Sequence, residues 1–549
     1  MTPVDAPFTS EAETSRSIAA SATIVGLGNI TSRVLGQLRE TINAHLFGAS
    51  GSMSAFRIAG QIPRNIYELL VGGMVTAALV PVFSEYAAGE DKDELWHITS
   101  VMLSLAVVIS IITIILLEII APLVAWLFGG GFDAPLQALT TTLIRLILPS
   151  LLFFVLAGIF TATLYAQNLF TYPALAASVF NIGGIACALL LASHMDVASL
   201  SIGVVLGAFL MAGVQVPGLR GAKLHFSLDI SHPGLRRIIK LYAPVLVSLV
   251  ISQVQIAFDY NWSSRTVEEA IAWKEYATRL IQFPLGLVST AVSMAVLPTL
   301  SQIDAAHDLE RFKSTLGLGL RLVLSLIIPA TTGLFILAVP IVALLYQYRA
   351  FSPTDTLQTA NALRFYLIGM PFAAIDLPLI FAFYSRKNTM VPVVVGILAI
   401  AIYLAVAPTL SFLLGWSWMG LVLANSIQLA SHALLMLWFL RRNVGSLGNM
   451  SLVSTTLKSS LASLVMALVT LLVALWANGG REVLWLAHSS SSTSGLVIHP
   501  ASLAAKLTVV GTAGLAGLVT YAIAALVLGI EEVRLVLSLV WRRAKSHPA

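Results

Sequence analysis

Three charged side chains stand close together near the start of the chain: Arg33, Arg39 and Glu40, in the stretch NITSRVLGQLRETINAHLFG. On a helix, Arg33 and Glu40 are seven residues apart and Arg39 lies one step round, so the three can point roughly the same way. Guanidinium groups grip phosphate and carboxylate oxygens bidentately and are not deprotonated in proteins, so such a cluster suits a phosphorylated or carboxylated solute. Arg64 and Arg279 are further candidates for the same role. A structural ion pair, Arg39 with Glu40 or Arg33 with Glu68, is the competing use of these residues. Asp259 and Asp376 lie deep in apolar runs, where a carboxylate carries a proton, binds a coupling cation such as Na+, or neutralises a nearby arginine. His45, His97, His194, His225, His307, His432 and His488 show no metal-ligand spacing and read as interface residues near the ends of the runs. The single cysteine, Cys187, excludes an intramolecular disulfide and a thiolate metal site. No GxxxxGK[ST] occurs, and GLG at Gly26 to Gly28 lacks the setting of a nucleotide fingerprint, so no cofactor, metal site or enzyme activity is expected.

The elements that must position these residues are membrane helices. Of the 549 residues, 58% are hydrophobic and only 10% charged, against about 25% charged in soluble domains. Mean hydropathy is +0.90. Apolar runs long enough to cross about 30 Å of hydrocarbon recur about fourteen times. Span one covers 18–46, span seven 238–262, span eight 272–301, span ten 361–385 and span twelve 417–440. An arginine at mid-bilayer costs about 2.5 to 3.5 kcal/mol on insertion scales, so Arg33, Arg39 and Arg279 should face a water-filled cavity or a partner. Arg57 and Arg64 also fall within or beside a span. Arg321 and Lys506 are close enough to an end to snorkel, and Arg145 and Arg364 read as satisfied by carbonyls at broken helices.

The net charge of +5 does not point to nucleic acid, because the basic residues sit in short loops beside helix ends. Arg220, Lys223, Arg236, Arg237, Lys240, Arg311, Lys313, Arg386, Lys387, Arg441, Arg442 and Lys458 all fall on one side. Arg265, Lys274, Arg349 and Arg481 fall on the other. The positive-inside rule then places both termini in the cytoplasm. The first residues are polar and acidic, without the layout of a cleaved signal peptide.

The chain also repeats itself. Arg145, Tyr165, Pro173 and Phe132 recur as Arg364, Tyr384, Pro392 and Phe351, each displaced by 219 residues, and Pro81 recurs as Pro298, displaced by 217. The displacement spans six hydrophobic segments, so both copies enter the membrane in the same direction, as in transporters that rock two halves about a site between them. The expected fold is therefore an all-α polytopic membrane protein with about 14 transmembrane helices. Two parallel-repeat six-helix lobes would surround a central cavity, with two extra C-terminal helices beside them. Residues 1–16 form a disordered cytoplasmic lead, 17–220 the first lobe, 221–443 the second, and 444–549 the appendage and cytoplasmic tail. The Ser/Gly-rich stretch 478–501 reads as a flexible outer loop with an amphipathic patch around Trp485. Gly183, Gly184, Gly203 and Gly207 read as close helix packing.

The stretches SRVLGQLRETINAHLFGAS, AFRIAGQIPRN, AALVPVFSEY, YATRLIQFPLG and FYSRKNTMVP resemble the MurJ/MviN lipid II flippases of the multidrug/oligosaccharidyl-lipid/polysaccharide exporter superfamily. The resemblance covers spans one to fourteen. It implies a carrier that moves a lipid-linked peptidoglycan precursor (lipid II) across the bacterial plasma membrane by alternating access, for cell-wall biosynthesis. By that resemblance, Arg33, Arg39, Glu40 and Arg279 line the cavity for the diphosphate and sugar headgroup, and the last two spans form a groove for the polyprenyl tail. The chain departs from the family pattern at Ser54, Gln61, Tyr67, Glu68, Thr278 and Gln282, where many members carry charge. Asp259 matches a sodium-site carboxylate of some members on the seventh span, whereas the eleventh span has Tyr403 and Ala407 near the expected positions. The implied partners are lipid II or a related polyprenyl-diphosphate glycolipid, membrane lipids and cell-wall synthesis proteins, with the chain acting as a monomer. Two other readings stay open from the residues: an exporter of another lipid-linked saccharide or small molecule, and a non-transporting scaffold of cell-wall synthesis.

Overall fold

The structure is a computed structural model that describes residues 11–89, 92–303, 308–386, 388–447, 450–477 and 502–546. Apolar backbone in lipid must satisfy its own hydrogen bonds, and helices do so within each segment. Among the described residues, the first compact unit, 1–265, holds the α-helices α1 (Glu11–Phe47), α2 (Gly51–Tyr67), α3 (Val80–Ala88), α4 (Lys92–Gly129), α5 (Ala134–Ile147), α6 (Ser150–Ala166), α7 (Thr171–Met195), α8 (Ala198–Gly213) and α9 (Pro233–Ser264). The second unit, 266–549, holds α10 (Ala270–Gln302), α11 (Leu309–Ile336), α12 (Ala338–Leu345), α13 (Pro353–Ser385), α14 (Met390–Pro408), α15 (Ser417–Val444), α16 (Leu452–Ala477), α17 (Leu503–Val527) and α18 (Glu531–Ser546).

Ten of the described spans are long and apolar enough to cross a membrane, and the α5–α6 pair, bent by 41°, makes an eleventh. The bend falls at Leu148–Pro149, where proline removes a backbone donor. The helices α1, α9 and α10, with 37, 32 and 33 residues, are also long enough. They bring the total among the described residues to fourteen. These three carry Arg33, Arg39, Glu40, Asp259 and Arg279. The lead 1–16 lies outside the described residues as far as residue 10, and α1 begins at Glu11. The loop 478–501, with Arg481, Trp485 and His488, lies outside them too, as do His307 and Lys387.

In the first unit, a left-handed Gly48 (φ 64°) ends α1, and Ser50 caps α2 by accepting from the Met53 N–H at 3.2 Å. This tight turn separates α1, which packs on α7, from α2, which packs on α5. Between α2 and α3 the chain makes two wide π-helical turns, Glu68–Gly72 and Val75–Leu79. The Tyr242 hydroxyl of α9 donates to the carbonyl of Leu69 at 2.7 Å, so a side chain supplies what the widened ladder leaves open. The core beneath these turns joins α3, α4, α6 and α9 through buried Leu79, Phe83, Ile98, Leu151, Val155 and Ile238. The linker before α9 runs along α4, with the His225 and Ser227 N–H groups donating to Ser100 and Ser104 Oγ at 3.1 and 3.0 Å. Arg237 then clasps Glu85 with both guanidinium nitrogens. The seventh span is tied by these bonds into the first unit.

Close packing accounts for the small residues of α7 and α8. A Cβ on Gly183 would lie 2.8 Å from the Gly207 Cα, and one on Gly203 would lie 3.2 Å from the Gly184 Cα. In the second unit, Tyr276, Tyr346 and Phe351 form an aromatic cluster with centroids 4.9 to 5.8 Å apart. Ser352 opens α13 with a full capping box to Asp355.

The internal repeat is visible in bonding as well as in sequence. Arg145 Nε donates to the Glu118 carbonyl in the first unit, and Arg364 Nε donates to the Phe335 carbonyl in the second, both at 3.4 Å. The donors are 219 residues apart and the acceptors 217, matching the two displacements of the repeat. Phe132 and Phe351 are both buried, each just before the N-cap of the helix that follows. The two arginines do the structural job expected of them.

Arg321 and Lys506 do not snorkel. Arg321 donates to Glu532 at 2.5 Å and to the Met450 carbonyl at 2.8 Å, and Glu532 is 4% exposed. Lys506 donates to the Ala343 and Gln347 carbonyls at 2.9 and 2.8 Å, where it serves the open C-terminal end of α12. The Arg321–Glu532 pair anchors α18, a helix formed by the stretch expected to be a plain tail. Ile530 and Val533 add it to the α16–α17 core beside Met466 and Tyr521. Replacing Glu532 by alanine leaves a largely buried guanidinium with one acceptor fewer. It should cost about 1 to 3 kcal/mol, read as a lower unfolding temperature of the detergent-solubilised protein.

Candidate functional site

The anion-binding candidates of the first unit are built on α1 and α2, on either side of the turn at Gly48. Glu40 is 1% exposed and accepts from two arginines, Arg39 at 3.1 Å and Arg57 at 2.5 Å. Arg57 comes from α2, seventeen residues on in sequence, and is itself 8% exposed. The Arg39–Glu40 ion pair weighed as a structural alternative is therefore present, as one half of a three-membered cluster. Arg39 is held from the other side as well. Its guanidinium lies 5.3 Å from the centre of the Phe180 ring, and its stem runs past Gly184, where a Cβ would lie 3.0 Å from the arginine Cδ. A glycine at 184 leaves room for the arginine.

Glu40 thus fixes Arg39 instead of offering an oxygen of its own. A carboxylate shared between two guanidinium groups leaves the cluster with a net positive charge, suited to an anion. Arg33, two turns earlier on α1, is exposed, as is Arg64 in the last turn of α2. In the second unit Arg279 lies half-buried on α10. Asp259 is half-buried on α9, where its own backbone carbonyl accepts from Ser263.

Asp376 has a partner the sequence did not suggest. His432 Nδ1 lies 2.6 Å from its Oδ1, joining α13 to α15. His432 stands in the middle of the 28-residue helix α15, so its reading as an interface residue near a span end is corrected. His97 and His225 do lie at an end, paired at 3.3 Å where the linker meets α4. Among the described residues, no group of three His, Cys, Asp or Glu side chains is placed to hold a metal ion. Tyr403 and Ala407, at the positions where a sodium site would need polar ligands, are 1% and 0% exposed in α14.

At the departures from the family pattern, Ser54 is fully buried and Gln61 donates to Asn65 at 2.5 Å. Tyr67 packs on Phe154 with centroids 5.9 Å apart, and Thr278 bonds back to the Lys274 carbonyl at 2.8 Å. Arg57 lies one helical turn before Gln61 on α2. A cation is present on this helix, one turn from the position where the pattern expects it.

A family model described as Lipid II flippase MurJ matches residues 43–492. The chain belongs to the lipid II flippase MurJ family. MurJ relatives cover most of it. A probable lipid II flippase MurJ from Haemophilus influenzae is 30% identical over 427 residues, spanning 74% of this chain and 83% of that protein. The lipid II flippase MurJ from Burkholderia cenocepacia is 29% identical over 379 residues, spanning 67% and 73%. A solved lipid II flippase MurJ in an inward closed conformation matches with a TM-score of 0.74 at 25% identity, covering 92% of this chain and 98% of that one. An inward-facing multidrug resistance MATE family transporter of the MOP superfamily shares the fold, with a TM-score of 0.64 at 12% identity. The MurJ model match opens at Asn43, three residues after Glu40. The assignment of Arg33, Arg39 and Glu40 therefore rests on their own geometry.

Proposed function

We propose that this chain is a lipid II flippase of the bacterial cytoplasmic membrane, with both termini in the cytoplasm. It moves the polyprenyl-diphosphate-linked headgroup from the inner to the outer leaflet by alternating access. The observation that carries the reading is membership of the MurJ family over residues 43–492. Arg33, Arg39 and Arg64 of the first unit bind the headgroup, with Glu40 and Arg57 holding Arg39 in place, and Arg279 is the second unit's own candidate for that chemistry. A diphosphate cannot enter hydrocarbon bare, and guanidinium groups in a hydrated cavity replace its lost water. The tail stays in lipid throughout.

A potential negative inside favours outward movement of the anion. Each elementary charge is worth about 2.3 kcal/mol per 100 mV, so a dianion gains roughly 4 to 5 kcal/mol. The test is transport of fluorescent lipid II by the purified protein in vesicles with clamped potential. Export should slow severalfold when the potential is collapsed, and an unchanged rate would contradict the mechanism. The departures at Ser54, Gln61, Tyr67, Glu68, Thr278 and Gln282 favour a second reading in which the headgroup is another lipid-linked saccharide. Competition by unlabelled polyprenyl-diphosphate glycolipids in the same vesicles separates the two.

A further inference from the structure

We propose that the Asp376–His432 pair is a proton-binding site whose occupancy sets the rate of flipping. The proposal rests on the transport reading above and adds its coupling ligand, a proton. His432 Nδ1 and Asp376 Oδ1 are 2.6 Å apart, and the two side chains are 14% and 23% exposed. An ionisable pair inside membrane helices is costly to keep unless it has a task. Asp376 lies ten residues before Arg386 and His432 nine before Arg441, which at 1.5 Å per residue sets the pair about 14 Å from the basic ends of both helices. Among the described residues, neither group has a second charged partner.

The neighbouring elements leave the pair electrostatically alone. On α10, Ser289 Oγ donates to the Ala374 carbonyl at 2.7 Å and marks the level of the pair. The nearest charge on α10 is Arg279, ten residues away, or about 15 Å along the helix. Glu275 and Lys274 are farther. On α11, Arg321 is engaged by Glu532 and the Met450 carbonyl, and Glu310, Arg311 and Lys313 lie in the first turns. The helix α12 has no titratable side chain, and α14 has only Tyr403. On α13 itself, Arg364 is spent on the Phe335 carbonyl, twelve residues earlier. The imidazole's other nitrogen, Nε2, faces Gly396 of α14, where a Cβ would lie 4.0 Å away. A small residue there leaves the nitrogen open to a proton or water.

With Nε2 unprotonated the pair is a neutral imidazole donating to a carboxylate, with net charge −1. Uptake of one proton at Nε2 makes an imidazolium–carboxylate pair of net charge zero, and the bond between α13 and α15 becomes charge-assisted at both ends. Proton binding therefore tightens this helix pair and changes the charge it carries through the cycle. A pair that served only as a structural tie would leave the export rate at clamped potential independent of pH.

Two measurements on the full-length protein test this. At clamped potential, lipid II export in vesicles should change about tenfold between an acidic and a neutral medium. His432→Gln and Asp376→Asn, each keeping shape and one hydrogen bond, should flatten that profile. Independently of transport, infrared pH-difference spectra of the histidine-labelled protein in detergent should contain an imidazole band that His432→Gln removes. A titrating His432 band in vesicles that flip nothing would support the site and sink the flippase reading. Flipping with the same pH profile in wild type and both variants, or the absence of a titrating His432 band, would overturn the proposal.

Discussion

Replacing Glu40 by alanine should cripple the protein twice, by breaking the buried ion pair that ties α1 to α2 and by releasing Arg39. Glu40 is 1% exposed and Arg57 8%, and they meet at 2.5 Å. Removing one partner of a buried ion pair strands the other charge, at about 3 to 5 kcal/mol. Native stability is only about 5 to 15 kcal/mol, so a large fall in folded yield and unfolding temperature is expected. The double variant Glu40→Leu with Arg57→Leu removes both charges and should recover most of that stability, because apolar residues of similar volume often replace a buried pair without loss. Transport should not recover with it, since Arg39 no longer has its carboxylate. A double variant that transports normally would show that Glu40 acts on folding alone.

The second large effect is expected at Arg39 itself. Arg39→Ala should fold, because the side chain is the most exposed member of its cluster at 16% and leaves the Glu40–Arg57 pair intact. It should lose lipid II transport by at least about a hundredfold. The argument is that two charge-assisted hydrogen bonds to a phosphate group contribute about 1.5 to 3 kcal/mol each, and about 1.4 kcal/mol is a factor of ten. Arg39→Lys keeps the charge but not the planar fork, so an intermediate rate is expected. Arg33→Ala, at an exposed position on the same helix, should show a smaller loss. Initial rates in reconstituted vesicles at equal protein density measure all three. A scaffold would tolerate every one of them.

Much of the architecture was legible in the sequence because lipid leaves few choices. Long apolar runs must be helices, and the 219-residue displacement of Arg145, Tyr165 and Pro173 marked the two copies before any coordinates. The equivalent carbonyl bonds of Arg145 and Arg364 reproduce that displacement in three dimensions. Side-chain partners across helices were harder to see. The sequence pairs Glu40 with its neighbour Arg39, whereas its shorter bond goes to Arg57, a partner set by the turn at Gly48 between α1 and α2. The turn signal was in the sequence, and the helical face of Arg57 on α2 would have suggested the pair. Asp376 and His432 are 56 residues apart on different spans, and nothing local announces them. The helix α18 was missed because its stretch is amphipathic and charged. Its signal was the left-handed Gly529 (φ 66°) followed by Glu531 and Glu532 at a helix start.

The departures at Gln61 and Tyr67 change meaning with the structure in hand. They remove cations that the family pattern places on the second span, but Arg57 sits one turn from Gln61 and is bound to the same carboxylate that holds Arg39. A headgroup would meet a differently arranged set of donors, which is why competition between glycolipids is informative here.

The most direct measurement is complementation. A bacterium depleted of its own lipid II flippase should survive and divide when it expresses this chain, and should lyse when the chain carries Arg39→Ala at the same membrane level. Lysis with the wild-type chain folded and present in the membrane, or equal survival with Arg39→Ala, would contradict the account.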